Sequence, residues 1–159
     1  MTAKKTFLYI SSIFAVLFLF SCKGNTVFKK SIAIPENIWE INDTLHFQTE
    51  ITDNEDFFNI FLNVNVKENY LTDNIWLIID SESPSGNVLN DTVMFFIFDQ
   101  TGKPYGKKHG DMIKNKFLYK AHILFPEKGT YKFTLSHGMR ENDLPRISSA
   151  GLSIEKAEK

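Results

Sequence analysis

The sequence predicts an all-β protein: an antiparallel β-sandwich of seven or eight strands, immunoglobulin-like or jelly-roll-like, preceded by an N-terminal signal-peptide helix. Two observations favour this fold class. Apolar and polar residues alternate with a period of two along most of the chain, and no long stretch carries apolar residues at helical spacing. Gly, Pro, Asn and Asp cluster between these runs, as is typical of chain reversals. Strands separated by turns, without helices between them, favour an antiparallel sandwich.

The N-terminal segment has the features of a bacterial lipoprotein signal peptide. Two lysines precede Phe7–Phe20, a mostly apolar run that would extend about 21 Å as a helix, whereas a bilayer core is about 30 Å thick. The run ends in Leu19-Phe20-Ser21-Cys22, which resembles a lipobox. The resemblance implies cleavage between Ser21 and Cys22 and a lipid on Cys22. An ordinary signal peptide with an incidental cysteine and an uncleaved anchor are the alternatives.

We therefore divide the chain into three parts. Residues 1–21 are predicted to be the signal peptide, and residues 22–31 a lipidated tether, because this stretch is short and polar. Residues 32–159 are predicted to form a single β-sandwich domain, since no repeat, low-complexity segment or second boundary interrupts them. Cleavage would change the net charge from -1 to -3, because the removed part carries two lysines and no acid.

The predicted strands follow from the alternation and from two continuous apolar runs. Ile75–Ile79 and Val93–Phe98 are the continuous runs, which are typical of strands covered on both faces. Glu141–Ile147 predicts one helical turn or an irregular connection. Gly129–Phe133 resembles the entry to an immunoglobulin F strand, where a tyrosine lies two residues before an inward position. The alternating segments are Leu45–Ile51, Asn59–Val66, Phe117–Phe125, Tyr131–Ser136 and, as a last short strand, Gly151–Glu155.

Composition excludes several classes of function. The net charge of -1 excludes an electrostatic nucleic-acid binder, which needs a clustered basic face. A single cysteine excludes a disulfide framework and a cysteine-based zinc site. The sequence contains no GxSxG nucleophile elbow, HExxH metal motif or phosphate-binding loop. We therefore expect that the protein is not an enzyme and uses no cofactor, metal or small-molecule substrate.

Some residue groups are weaker candidates. Acidic residues at 53–56 and 80–82 would suit calcium, and lysines near Tyr105 would suit an anionic partner; solvated loops are the simpler alternative. Asp43-Thr44-Leu45 and Asp91-Thr92-Val93 resemble an O-glycosylation signal of exported bacterial proteins, with Thr44 and Thr92 as acceptors. None of the four histidines has metal-ligand spacing, so we expect ordinary surface or rim residues at His46, His109, His122 and His137.

Several stretches behind the lipobox, from about Trp39 to Glu155, are distinctive in combination. They are Asn74–Ile79, Asp91–Val93, Phe98–Lys107, Gly110–Ile113, Leu118–Lys120, Phe125–Phe133, Met139-Arg140 and Leu144-Pro145 through Gly151-Leu152. In order and spacing they resemble the GldH gliding-motility lipoproteins. The chain departs from the expected pattern at Pro104-Tyr105, in place of a Trp-Leu-like pair, and at Arg146, in place of glycine.

The resemblance implies a lipid-anchored protein of the bacterial cell envelope that is needed for gliding. It implies work with other gliding lipoproteins and the type IX secretion machinery, attachment to the membrane through Cys22, and no known enzymatic activity. Lys23-Gly24-Asn25 lacks the acidic residues that resemble a surface-export signal. We therefore expect the domain to face the periplasm, on either the inner or the outer membrane.

Our main hypothesis is accordingly an interaction or structural protein. Its predicted contact residues are Arg140, Trp76, Trp39 and Tyr105 if they are exposed; if buried, they belong to the core. The alternative is a carbohydrate-binding module, which would need two or three coplanar exposed aromatic rings on one face. A hydrolase is a third hypothesis, and it would need a cleft with paired carboxylates or a His/Asp/Ser cluster.

Overall fold

The structure, a computed structural model, describes residues 25–158, and this range contains eleven strands. The predicted signal peptide, including Ser21, and the lipidation site Cys22 lie outside the described residues. Within the range, no helix is long and apolar enough to cross a membrane. The strands are β1 (Thr26–Ala33), β2 (Ile38–Glu40), β3 (Leu45–Ile51), β4 (Phe58–Lys67), β5 (Asn74–Glu82), β6 (Val88–Phe96), β7 (Lys107–His109), β8 (Met112–Ile123), β9 (Gly129–His137), β10 (Asp143–Pro145) and β11 (Ile147–Lys156).

The strands pair as a single nested ribbon. From the two ends of the described chain inward, β1 pairs with β11, β2 with β10, β3 with β9, β4 with β8 and β5 with β6, all antiparallel. The ribbon folds over into two sheets, with strand orders β1-β11-β4-β8-β7 and β3-β9-β5-β6, while β2 and β10 form a separate pair. The predicted all-β sandwich is confirmed, and of the two predicted arrangements the structure has the jelly roll.

Inward-facing residues of both sheets share one apolar core. Alternate residues of β3 and β4 are buried, as the period-two pattern predicted. Leu62 and Val64 of β4 and Leu77 of β5 are fully buried. Phe95 of β6 stacks on Phe117 of β8 with their ring centroids 4.5 Å apart. This stack closes the side of the sandwich where those two strands face each other.

The local feature that suggested an immunoglobulin F strand is present. Tyr131 lies near the start of β9, and its hydroxyl donates a hydrogen bond to the carbonyl of Glu127, with the two oxygens 3.1 Å apart. Such a tyrosine corner fixes how the chain enters the strand. In this protein the tyrosine corner occurs in a jelly roll. The five-residue pattern Gly129–Phe133 therefore does not distinguish an immunoglobulin-like sandwich from a jelly roll.

The tether predicted for residues 22–31 overlaps the first strand. From Thr26 onward the chain pairs with β11, so the sheet begins inside that range. The polarity that suggested a tether, including Lys29 and Lys30, belongs to a strand at the edge of its sheet. Charged side chains are common on such strands because they discourage pairing with other chains.

The helical turn predicted for Glu141–Ile147 is wrong. Asp143–Pro145 forms β10 and pairs with β2, and Arg146 has a φ of 72°. Proline is compatible with an edge strand, because it has no N–H to donate to a neighbour. The left-handed backbone of Arg146 then turns the chain directly into β11, which leaves no room for a helical turn.

The two ends of the sandwich carry different loops. The N-terminal end, as we term it, holds Asn25 and the loops 52–57, 83–87 and 124–128, which join β3 to β4, β5 to β6 and β8 to β9. The connections leaving β1, β4, β6 and β9 lie at the opposite end, termed the far end. Ser85 donates a hydrogen bond to the Glu127 carboxylate at 2.7 Å, which joins two loops of the N-terminal end.

Candidate interaction surface

Four apolar side chains lie together on the outer face of the four-stranded sheet. Because successive strand residues point to opposite faces, β5 turns Trp76 and Ile78 outward while their neighbours enter the core. Trp76 is paired across the sheet with Met94 of β6, and Phe96 follows two residues later on the same face. Trp76 is 43% exposed, Ile78 38% and Phe96 53%. We term Trp76, Ile78, Met94 and Phe96 the apolar patch.

A glycine keeps the neighbouring segment from covering this patch. The N–H of Gly138, just after β9, donates to the carbonyl of Trp76 at 2.8 Å. A Cβ at position 138 would lie 3.3 Å from Cγ1 of Ile78 and 3.6 Å from Cβ of Trp76. Any side chain there would therefore rest on the patch. Its absence leaves the tryptophan and isoleucine open to solvent.

The remainder of the same face is polar and internally bonded. Asp80, two residues beyond Ile78, accepts hydrogen bonds from Asn90 at 2.7 Å and from Thr134 at 3.1 Å. Lys132 of β9 pairs with Glu82 of β5 at 2.8 Å. The apolar patch is thus confined to the far-end half of the sheet.

The outer face of the other sheet contrasts with the patch. Asn63 and Asn65 of β4 donate to Ser153 and Ser149 of β11 at 3.0 and 2.8 Å. These side chains satisfy one another. Beside them this face carries two large apolar residues, the half-buried Phe61 and the exposed Leu118, which are paired between β4 and β8, and Lys116 lies over the Phe61 ring; the patch has four. The asymmetry between the faces identifies the four-stranded sheet as the candidate interaction face.

The structure separates the four predicted contact residues. Trp76 belongs to the patch, Arg140 is exposed two residues after Gly138, and Tyr105 is 67% exposed in the loop after β6. The Tyr105 N–H donates to the carbonyl of Ile97 at 2.9 Å, which holds that loop at the far end. These three residues therefore lie at one end of the domain.

Trp39 is a core residue. Its side chain is fully buried, its indole N–H donates to the carbonyl of Asp43 at 2.8 Å, and its ring meets His137 edge-on. Ile78, Met94 and Phe96 were not predicted as surface residues. Alternate residues of a strand point to opposite faces, so every second residue of the two continuous apolar runs had to point away from the core. The runs were instead interpreted as strands covered on both faces.

An apolar cleft of about 370 Å³ lies between the sheets near the N-terminal end. Tyr119 and Lys120 at its edge bind Asp91 of β6: the tyrosine hydroxyl donates a hydrogen bond, and the lysine nitrogen lies 2.7 Å away. The lysine and the tyrosine lower the pKa of Asp91, while burial and the aspartate raise the pKa of Tyr119. The apolar lining includes Ile60, Val88, Leu89, Ile123, Leu124, Phe125 and Phe133.

Two of the three acidic residues at 53–56 are paired with a lysine of the chain. Lys156 lies 3.1 Å from the Asp53 carboxylate and also pairs with Asp56. The backbone N–H of Glu55 and the lysine together lower the pKa of Asp53 to about 2. Among the described residues no three His, Cys, Asp or Glu side chains are grouped to hold a metal ion.

The expectation of a surface position is wrong for His137. It is buried on the inward face of β9, and neither ring nitrogen has a hydrogen-bond partner of good geometry. Burial lowers the pKa of His137, because it disfavours the charged imidazolium. The nearby backbone of Trp39 and Asn142 raises the pKa by a smaller amount. His137 lies two residues after Leu135, so it points to the same buried side of β9 as Tyr131, Phe133 and Leu135. A histidine is polar, so the sequence suggested a surface position instead.

The two predicted glycosylation sites differ in access. Thr92 is exposed on β6 and lies opposite Ile78 of the patch, whereas Thr44 is half-buried just before β3. Asp91, which precedes Thr92 in the motif, forms a salt bridge with Lys120. Modification at either threonine stays a prediction.

Comparisons with known proteins indicate one family. A family model described as GldH lipoprotein matches residues 26–154. The chain is 28% identical over 153 residues to the gliding motility lipoprotein GldH homolog of Christiangramia forsetii, covering 92% of this chain and 93% of that protein. It is also 28% identical over 151 residues to the gliding motility lipoprotein GldH of Flavobacterium johnsoniae, covering 91% and 93%.

A solved structure of a family GH115 4-O-methyl-α-glucuronidase gives a TM-score of 0.41 at 9% identity, covering 84% of this chain but 17% of that enzyme. This likeness is too remote to carry an argument. The family model spans nearly the whole described domain, from the first residue of β1 to Ile154, two residues before the end of β11. The chain belongs to the GldH lipoprotein family, as the resemblance of its motifs predicted.

Proposed function

We propose that this protein is a membrane-anchored gliding-motility lipoprotein of the cell envelope. In this proposal it acts as a non-enzymatic interaction component of the gliding and type IX secretion apparatus. Cys22 carries the lipid, the domain faces the periplasm, and the apolar patch contacts a protein partner. Family membership and the names of the relatives support the gliding role. The lipobox-like residues that end at Cys22 support the anchor.

One observation carries the interaction role: two apolar runs of the sequence are covered on only one face. Their outward residues include Trp76 and Phe96, and aromatic side chains dominate the energetics of protein interfaces. Exposed apolar groups of this kind mark interaction sites in soluble domains. Arg140 and Tyr105 supply further residue types that interfaces favour at the same end of the domain.

The anchor is tested by replacing Cys22 with alanine in the native host. Labelled palmitate should enter the wild-type protein but not Cys22→Ala, because the thiol is the proposed attachment point. The variant should also be released from the membrane or remain unprocessed. Unlabelled wild-type protein would contradict the anchor.

The partner contact is tested by crosslinking in intact cells followed by mass spectrometry. Phe96→Asp places a charge in the patch, whereas Leu71→Asp alters a still more exposed apolar residue of the far end outside it. Wild type and Leu71→Asp should crosslink to gliding or type IX secretion proteins, and Phe96→Asp should lose those products. The interaction role fails if wild type yields none of them or if Phe96→Asp keeps them.

Carbohydrate binding is the second candidate, because Trp76 and Phe96 are both exposed on one face of the sheet. Glycan platforms use such rings. Ile78 and Met94 beside them offer no hydrogen bonds to sugar hydroxyls, so a protein partner ranks first. Binding of the full-length protein to an immobilised glycan array, lost in Trp76→Ala, would reverse that order.

A further inference from the structure

We propose that the N-terminal end of the sandwich rests on the lipid surface, with Phe57, Leu124, Val88 and Leu89 in contact with the bilayer. This inference depends on the lipid proposed for Cys22. It adds a second, non-covalent contact with the membrane, and it fixes the orientation of the domain.

The link to the membrane is short. Asn25 follows Cys22 by three residues along the chain, and an extended chain of three residues spans about 10 Å. The carbonyl of Asn25 accepts a hydrogen bond from the N–H of Lys156 at 2.7 Å, so the start of the described chain is fixed to the end of β11. A lipid on Cys22 therefore holds this end of the sandwich within about 10 Å of the bilayer surface.

The end held there exposes large apolar side chains. Phe57, in the loop before β4, is 41% exposed, and Leu124, just after β8, is 47% exposed. Val88 and Leu89, at the start of β6, are also exposed, and they line the apolar cleft together with Leu124. Contact with lipid would remove these side chains from water, which is the driving force for interfacial binding.

The structure holds these side chains in place. The ring of Phe57 stacks on His122 with a centroid distance of 4.3 Å, and the carbonyl of Phe57 accepts a hydrogen bond from Ala157 at 2.8 Å. The hydrogen bond between Ser85 and Glu127 joins the loop before Val88 to the loop after Leu124. The apolar groups are thus presented by connected loops, so little ordering is needed for them to meet a surface together.

Charge indicates which interaction carries the contact. Among the described residues, the loops and terminus of this end carry more acids than lysines: Asp53, Glu55, Asp56, Glu127 and Glu158 against Lys128 and Lys156. With Lys23 and Lys159 of the sequence the count is five acids to four lysines. A surface of this sign does not bind anionic headgroups by attraction, unlike polybasic membrane segments. The contact is therefore apolar, and it should be insensitive to salt and no stronger on anionic than on zwitterionic bilayers.

The orientation has a consequence for the apolar patch. Trp76 lies six residues from Glu82 along β5, or about 20 Å at strand spacing, and Glu82 adjoins the loop 83–87 of the N-terminal end. A domain that rests on this end holds its patch about 20 Å further from the bilayer. Partners would then meet the patch in the aqueous compartment.

The test uses the mature full-length lipoprotein in vesicles. Cys22 is the only cysteine of the sequence, so each added cysteine is a unique reactive thiol when Cys22 is lipidated. Leu124→Cys and Phe57→Cys probe the N-terminal end. Leu71→Cys and Tyr105→Cys are matched controls, because they are exposed residues of similar type at the far end. Each variant is labelled with the environment-sensitive dye NBD in phosphatidylethanolamine–phosphatidylcholine vesicles, with and without phosphatidylglycerol.

Dyes at positions 124 and 57 should emit at shorter wavelength and lose most of their fluorescence to brominated lipids, while those at 71 and 105 should do neither. Phosphatidylglycerol should not strengthen the effect. The inference is overturned if all four dyes behave as in water, or if the blue shift occurs without quenching by lipid. Unsubstituted protein is the control for the anchor: if it takes up the dye, Cys22 is free, and the proposed lipidation fails together with this inference.

Discussion

A single methyl group at Gly151 should disrupt the pairing of the first and last strands. Gly151 of β11 is buried opposite Ser31, and a Cβ there would lie 2.4 Å from the Lys30 carbonyl oxygen and 2.8 Å from the Ser31 Cα. Ordinary contact begins near 3.4 Å, so β1 must shift by about 1 Å. Losing two ladder hydrogen bonds costs roughly 2 to 3 kcal/mol, and the Gly-to-Ala entropy gain offsets about 0.4 to 1 kcal/mol. We expect Gly151→Ala to be about 2 kcal/mol less stable.

Gly138→Ala is the matched control for this substitution. Neither glycine has a positive φ, and the nearest atoms to a Cβ at 138 are side-chain carbons at 3.3 Å or more. This variant should keep wild-type stability or gain a few tenths of a kcal/mol. The assay is urea unfolding of the detergent-solubilised full-length protein by tryptophan fluorescence, with hydrogen exchange of the β1 amides. Equal midpoints for the two variants, or protected β1 amides in Gly151→Ala, would refute the reasoning.

Three further predictions follow from the site and the core. Trp76→Ala should weaken partner binding about 60-fold, because the 43% of the ring that is exposed is about 100 Å², worth about 2.5 kcal/mol on burial; recovery of crosslinked partners measures this, with Leu71→Ala unchanged. Gly106→Ala should destabilise by about 2 kcal/mol, since its Cβ would lie 2.3 Å from the amide oxygen of buried Asn115; a urea midpoint equal to wild type would contradict it. Burial lowers the pKa of His137, so the unfolded chain binds its proton more readily: stability should fall as pH drops below 6.5, and His137→Phe should remove that slope between pH 7.5 and 5.5.

Sequence reasoning reached the fold class because period-two burial is a local property. Leu45–Ile51 alternates so regularly that β3 was predicted residue for residue. The short strands β2, β7 and β10 were missed, because three residues carry no readable period. β1 was missed for another reason: at the edge of a sheet its side chains are mostly outside the core, so its polarity suggested a tether.

The candidate surface shows the same limit. Trp76 was predicted as a contact, but Phe96 was assigned to a strand covered on both faces. A continuous apolar run indicates that both faces of the strand are buried in the working protein. It does not tell whether the residues that bury the second face belong to the same chain or to a partner. The burial of Trp39 was equally beyond the sequence, because it depends on β2 folding against β10 more than a hundred residues later.

The nested ribbon has a mechanical consequence if a partner on the patch pulls against the lipid proposed for Cys22. β1 runs from the N-terminal end toward the far end, and seven of its residues are paired with β11. A load between the lipid and a partner on the patch would pull β1 along its own length. Hydrogen bonds perpendicular to that direction are then sheared together, whereas a sideways pull would open them one by one. In the proposed orientation, β1 is therefore loaded in its more resistant direction.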